Sequence, residues 1–430
     1  MKQYYSPFVD GSGVFLPISE IFFSHMSQLI ENNIEEGYQI EFKSRWDENF
    51  LKKHLCQTIT SFANSEGGWL LVGIEDNAEY VGIKKPMADF SQIISQRLAV
   101  VSPFPKFESK FITNPQNSQM GVLVIYVYEG LDPPYVCNGT VYLRNGSSKQ
   151  PIKSERIEID NLVHKRERFF KKHKEFCDND LIDENIKIPF VSIYLYNPYT
   201  DIDINNLTEN LRFMKKTLND AGHWQRLNYS SESVLCFNTD EISKNVVTTI
   251  TEFFVDGNVK ISCPLFGTQK DTHEEWAYFL KKHNPNINVR EMLIIDGYIS
   301  YWSINNALQN AFKYINKFDN HIKDYLVSFE YKNIRNSVLY FKDKNDSNEE
   351  KKQHLQRELH VCPKNEVKIP SSKFIEDIKL ENIENSVSQI LETDFALVFG
   401  MDPDELRQRI NEVQPLYPNG NYRHHVKNWD

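Results

Sequence analysis

Apolar residues recur at spacings of three and four from Ile21 through Phe22, His25, Met26, Leu29 and Ile30, which predicts a helix capped by Ser19 and running to about Asn33. The pattern changes after Gly37. From Tyr38 to Lys43 it alternates, placing Ile40 and Phe42 on one face of a short strand and Gln39, Glu41 and Lys43 on the other. Asp47 is an N-cap for a second helix, marked by Leu51, Leu55, Ile59 and Phe62 and ended by Gly67-Gly68. A buried strand follows from Trp69 to Glu75. Phe90, Ile93, Ile94, Leu98 and Val101 predict a third helix, and Gly121 to Tyr128 reads as the clearest apolar strand of the chain. Asn138-Gly139, between Tyr135-Val136 and Val141-Tyr142-Leu143, is a hairpin-turn signal. Ser154 caps a last helix through Ile157, Leu162 and Phe169 that ends in a basic run from His164 to Lys174.

The expected boundary lies near Asp178-Asn179-Asp180, dividing the chain into residues 1–178 and 179–430. Beyond it, strands at Phe190 to Tyr196 and Met292 to Ile295 mix with helices at Trp276 to Lys282 and Ile304 to Phe318, so the whole reads as α+β with a second α+β region of unrecognised type. The stretch from Lys342 to Lys352 reads as a mobile loop and the tail from Val413 as irregular. A length of 430 residues agrees with more than one packing unit.

No run approaches the ~20 apolar residues that span a membrane, and Met1 to Tyr5 lacks the pattern of a signal peptide, so the cytoplasm is the expected compartment. Six cysteines without a C-x-x-C pair suit neither a disulfide framework nor a clustered zinc site. A net charge of −10 means that any contact with nucleic acid uses a local basic patch.

Candidate chemistry centres on Glu36, Glu41 and Asp76. Phosphodiester cleavage needs an oriented water and neutralisation of charge on the leaving oxygen, and a carboxylate-held ion of the Mg2+ type supplies both. Glu41 lies on the polar strand face, Glu36 in the turn before it, and Asp76 at the end of the next strand. Lys43 shares the face of Glu41 and could meet phosphate charge. By spacing alone, these four residues describe a solvated surface more readily than a catalytic site.

Glu36-Gly37-Tyr38-Gln39-Ile40-Glu41-Phe42-Lys43, the stretch Ser61 to Asp76, and Tyr142 to Ser148 resemble the AlbA-type domain of the Schlafen family, over roughly residues 15–165. The resemblance implies a metal-dependent nuclease, with Glu36, Glu41 and Asp76 as the triad holding Mg2+ or Mn2+ and Lys43 as its lysine. It implies RNA cleavage, often of transfer RNA, and a place in anti-phage defence. Glu35 is the alternative ligand if the turn shifts by one residue. Arg144 and Lys149 are the phosphate contacts it favours, with Lys165, Arg166, Arg168, Lys171 and Lys172 of the basic run as further RNA contacts. Vertebrate members have two related lobes and a zinc site; this chain offers one lobe, which leads to the expectation of a homodimer or larger ring. The other class of reading is a non-catalytic regulator that binds nucleic acid or a nucleotide. Gly67 and Gly68 lack the lysine of a phosphate loop and read instead as a helix stop. His360 with Cys362, and His424-His425, read as structural or surface residues.

Overall fold

The computed structural model describes residues 5–413 apart from 12, 14, 87, 153–155, 179–180, 182–187, 198–206, 221–225, 240–246, 268–269, 284–291, 319–324, 342–361, 363, 370–373 and 376–390. Ser154, Asn179, Asp180, His360, His424, His425 and the polar stretch beginning at Lys342 therefore lie outside the described residues. The fold is α+β. It divides into two compact units, residues up to Lys174 and most of the chain from Glu175 onward.

In the first unit the expected opening helix is mostly 3-10: turns at Ile18–Glu20 and Phe23–Ser27 lead into a short α1, Gln28–Glu31. Ser19 lies inside the first turn and caps nothing. Instead Phe22 N–H donates to His25 Nδ1 at 3.1 Å, and the tighter winding turns Phe22 and Ile30 to solvent while Ile21, Met26 and Leu29 are buried.

Strand β1 (Ile40–Lys43) leads to α2 (Glu48–Lys53) and α3 (Leu55–Asn64), then β2 (Gly68–Val72), which pairs parallel to β1 with Glu41 opposite Leu70. Asp47 caps α2 by accepting from Phe50 N–H at 2.8 Å. The single helix expected here is two, joined at His54, whose φ of −115° departs from helical geometry. Gly67, at φ +73°, ends the run, and a Cβ there would lie 2.7 Å from the Val127 carbonyl oxygen, so no other residue fits this return.

Next come β3 (Ile83–Lys84), α4 (Phe90–Leu98), β4 (Val101–Ser102), β5 (Phe107–Asn114) and β6 (Asn117–Val127). β6 pairs antiparallel with β2, β3 and β5, completing a five-stranded sheet with β1 as an edge. Both faces are covered: Leu70, Val72, Leu123 and Ile125 meet Leu55, Ile59 and Phe62, while Phe42, Trp69, Leu71 and Val124 meet Phe8, Ile21 and Leu29. That is why β2 reads as an unbroken apolar run.

β7 (Val136–Cys137), β8 (Thr140–Asn145) and β9 (Ser148–Pro151) join β4 in a second sheet. Asn138 and Gly139 both have positive φ, the turn their sequence predicts. Asn64, at the end of α3, ties the helix to this sheet, donating to the carbonyls of Tyr135 and Tyr142 at 2.9 and 3.0 Å and accepting from Tyr135 N–H at 2.7 Å. α5 (Arg156–Asp178) follows, with Leu162 and Phe169 buried.

The second unit is built on an antiparallel sheet containing β10 (Phe190–Tyr196), β11 (Arg226–Tyr229), β12 (Ser233–Thr239), β13 (Val247–Phe254), β14 (Val259–Pro264), β16 (Tyr325–Lys332), β18 (Glu366–Ile369) and β19 (Phe374–Ile375). β15 (Leu293–Asp296) and β17 (Ser337–Tyr340) form a separate parallel pair. α6 (Leu207–Asp220), α8 (Gly297–Phe318), α9 (391–398) and α10 (Pro403–Val413) contribute to its main core, and α7 (Lys270–His283) packs with the β15 pair. No described helix is long and apolar enough to cross a membrane.

Candidate active site

Edge strands leave backbone donors unpaired. On β1, Phe42 N–H is met by Glu36, whose Oε1 accepts at 2.7 Å, so the turn carrying Glu36 folds back along the strand. The same oxygen lies 3.4 Å from Lys43 Nζ, which is also 3.0 Å from Glu41 Oε1. One ammonium thus joins the two carboxylates. Glu35 is exposed, and Glu36 makes these contacts.

Glu41 is 4% exposed. Its other oxygen pairs with Arg144 Nη1 at 2.6 Å, and Lys149 Nζ lies 3.6 Å from Oε1 while donating to Thr58 Oγ1 at 2.8 Å. Burial alone would raise the Glu41 carboxyl, but Lys43, Arg144 and Lys149 outweigh it and hold the group below its ordinary range. Burial, helped by Lys43 and Arg144, lowers the Lys149 ammonium despite the opposing pull of Glu41.

The expected phosphate contact at Arg144 is corrected by its position. Its guanidinium is fully buried, paired with Glu41, donating to the carbonyls of Gly37 and Ile40, and set over the Phe62 ring at 4.7 Å. It fastens β8 to β1 and does not face a polymer. Spacing showed the arginine but not its burial, which depends on a partner 103 residues away.

Asp76 is exposed in the turn after β2. Among the described residues no three His, Cys, Asp or Glu side chains gather in a group able to hold a metal ion, so the structure brings Glu36 and Glu41 together but not Asp76 with them. The donor chemistry still suits a Mg2+-type ion, which needs only one or two carboxylates with water and phosphate completing the shell. The Lys43 ammonium marks where positive charge is accommodated between the two acids.

One neighbour had no signal in the sequence. His54, at the α2–α3 junction, is lowered by burial first and then by the charges of Lys149, Lys43 and Lys53, so it stays neutral to lower pH than an ordinary histidine. The break between α2 and α3 puts an imidazole in the field of the cluster.

The basic run of α5 is partly engaged within the unit. Lys165 pairs with Glu129 at 2.8 Å and donates to the carbonyls of Asn64 and Ser65 at the end of α3, complementing the helix dipole. Arg166 pairs with Asp132 at 2.6 Å. Arg168, Lys171 and Lys172 are exposed. Phe169 is a core anchor; Phe170 is half exposed beneath Arg166.

The crystal structure of the DIP2311 protein from Corynebacterium diphtheriae is 20% identical over 30% of this chain and 29% of its own length, with a TM-score of 0.22. No curated protein matches the chain. The Schlafen, AlbA_2 family model matches residues 36–153, a stretch that begins at Glu36 and includes Glu41, Lys43, Arg144 and Lys149. Such a domain points to a nucleic-acid-related function. Residues 36–153 thus match a Schlafen AlbA_2 domain.

Proposed function

We propose that the first unit is a metal-dependent endoribonuclease and that Glu36 and Glu41 are its metal ligands. The observation that carries this reading is their shared contact with one cation, at 3.4 and 3.0 Å from Lys43 Nζ. Mg2+ or Mn2+ bound there would neutralise phosphodiester charge and acidify a coordinated water. The chain itself supplies the rest. Arg144 and Lys149 keep Glu41 ionised, Phe42 N–H fixes Glu36, and Lys43, 30% exposed, presents its ammonium to phosphate charge as it develops. Asp76 is outside this pair and would serve only if its turn moves.

Structured RNA such as transfer RNA is the proposed substrate. A second copy of the chain is proposed to complete the groove, since one lobe offers a small cationic surface to a long anion. Light scattering tests the assembly, and a monomer cutting at full rate refutes it. The decisive assay incubates the full chain with transfer RNA, total RNA and single-stranded DNA, with and without Mg2+ or Mn2+. Metal-dependent cutting of RNA is expected. Lys43→Ala should slow turnover by ~10²-fold without loss of metal binding.

A second reading, a non-catalytic nucleic-acid-binding module, is favoured by the complete pairing of Glu41 with three cations and by the exposure of Asp76. RNA that is bound but uncut under every metal condition would establish it and defeat the nuclease.

A further inference from the structure

Behind the Glu41 cluster, on the side of α5, the first unit contains a cavity of about 470 Å³. Its size is that of a small-ligand site. Leu143 and Leu162 form apolar wall and Tyr38 contributes an aromatic ring; Arg168 and Lys172 bring cationic side chains from α5, while Lys165 is held by Glu129, which lines the cavity with Glu66 and Glu158. Tyr38 is 60% exposed, on a turn whose neighbours Glu36 and Gly37 are both held by contacts to the site. Arg144 is among the lining residues, but its guanidinium has no exposed surface and pairs with Glu41, so the arginine separates cavity from cluster.

We propose that this cavity is a nucleotide subsite for single-stranded RNA, with a base stacked on Tyr38 and its phosphate turned toward Arg168 on the α5 side, away from Glu66 and Glu129. An aromatic face beside cations is the arrangement that holds unpaired bases with little sequence preference, because every base has a π-face and every nucleotide a charge. A base within a duplex is already stacked and cannot use the ring. Tyr38 lies two residues from Glu36, a backbone reach of at most about 7 Å. The subsite therefore lies beside the turn that carries Glu36. This subsite rests on the reading that the unit engages RNA.

The test is fluorescence anisotropy on the full chain in EDTA, where metal-dependent cutting does not enter. The probes are a fluorescein-labelled ten-nucleotide oligoadenylate, an abasic ribose-phosphate strand of the same length, and an RNA duplex. The wild type should bind oligoadenylate about tenfold or more tightly than the abasic strand. Tyr38→Ala should erase that difference while leaving duplex binding and the melting temperature unchanged, and Tyr38→Phe should retain it. A difference that survives in Tyr38→Ala, or that the wild type never shows, overturns the subsite alone. Failure of the wild type to bind any of the three probes overturns the RNA reading and the subsite with it.

Discussion

Each unit buries a glutamate on a strand, and the two are solved differently. Glu41 on β1 is met by Arg144, which has no exposed side-chain surface, and by Lys43 and Lys149. Glu330 on β16 accepts from the Tyr194 hydroxyl at 3.0 Å and pairs with Lys368 at 2.6 Å, but Lys368 is 59% exposed. A buried acid with lysine partners is therefore no mark of a site in itself. Nor is a shared lysine such a mark, since Lys368 also lies 3.4 Å from Glu366. What separates Glu41 is a fully buried arginine partner with a cavity behind it.

The sharpest way to break this contrast is to remove each acid. Glu41→Ala strands a buried guanidinium and should cost on the order of 3–5 kcal/mol in denaturant unfolding. A loss below about 1 kcal/mol would mean that Arg144 finds water, and the strut would fail. Acid sharpens the same point. The folded Glu41 carboxyl lies below its ordinary value of 4.5, so its stabilisation is complete above that value and is lost only as pH falls through the lower folded one. Unfolding midpoints of wild type and Glu41→Gln should converge in that acidic window, and a constant gap there would assign the stability to packing.

Glu330→Ala should cost less, roughly 1–3 kcal/mol, because Lys368 can hydrate while the Tyr194 hydroxyl loses its acceptor. An effect equal to that of Glu41→Ala would erase the distinction between the two acids. Glu36→Ala removes one acceptor from an edge N–H and should cost about 1 kcal/mol while abolishing cleavage under the nuclease reading. Cleavage that persists would remove Glu36 from the ligand set. Asp76→Ala should lie within about 0.5 kcal/mol of wild type in stability. If it nevertheless stops cleavage, the turn after β2 joins the site during the reaction; unchanged cleavage would leave Glu36 and Glu41 as the working pair.

What the sequence made legible was local. Asp47 caps a helix, Asn138-Gly139 turns a hairpin and Glu36 to Lys43 names a polar strand edge because each depends on neighbours a few residues away. β5 escaped notice because Phe107 to Lys110 is half-buried throughout, which blurs the alternation. The 3-10 winding near Phe22 has a period that apolar spacing did not separate from α-helix. Arg144 looked like a phosphate contact since nothing near it in the chain announces burial. His54 was invisible because a break between two helices leaves no periodic trace.

The sequence separation of 103 between Glu41 and Arg144 also sets an order of events during synthesis. At ribosomal speeds of ~5–20 residues per second, Glu41 emerges roughly 5–20 s before the arginine that completes its surroundings. In that interval the N-terminal elements can collect their apolar partners, but the carboxylate must remain hydrated and β1 unfastened. The cluster is thus a late-assembled part of an early-synthesised strand, and a nascent chain halted before β8 would carry both glutamates without the arrangement that joins them.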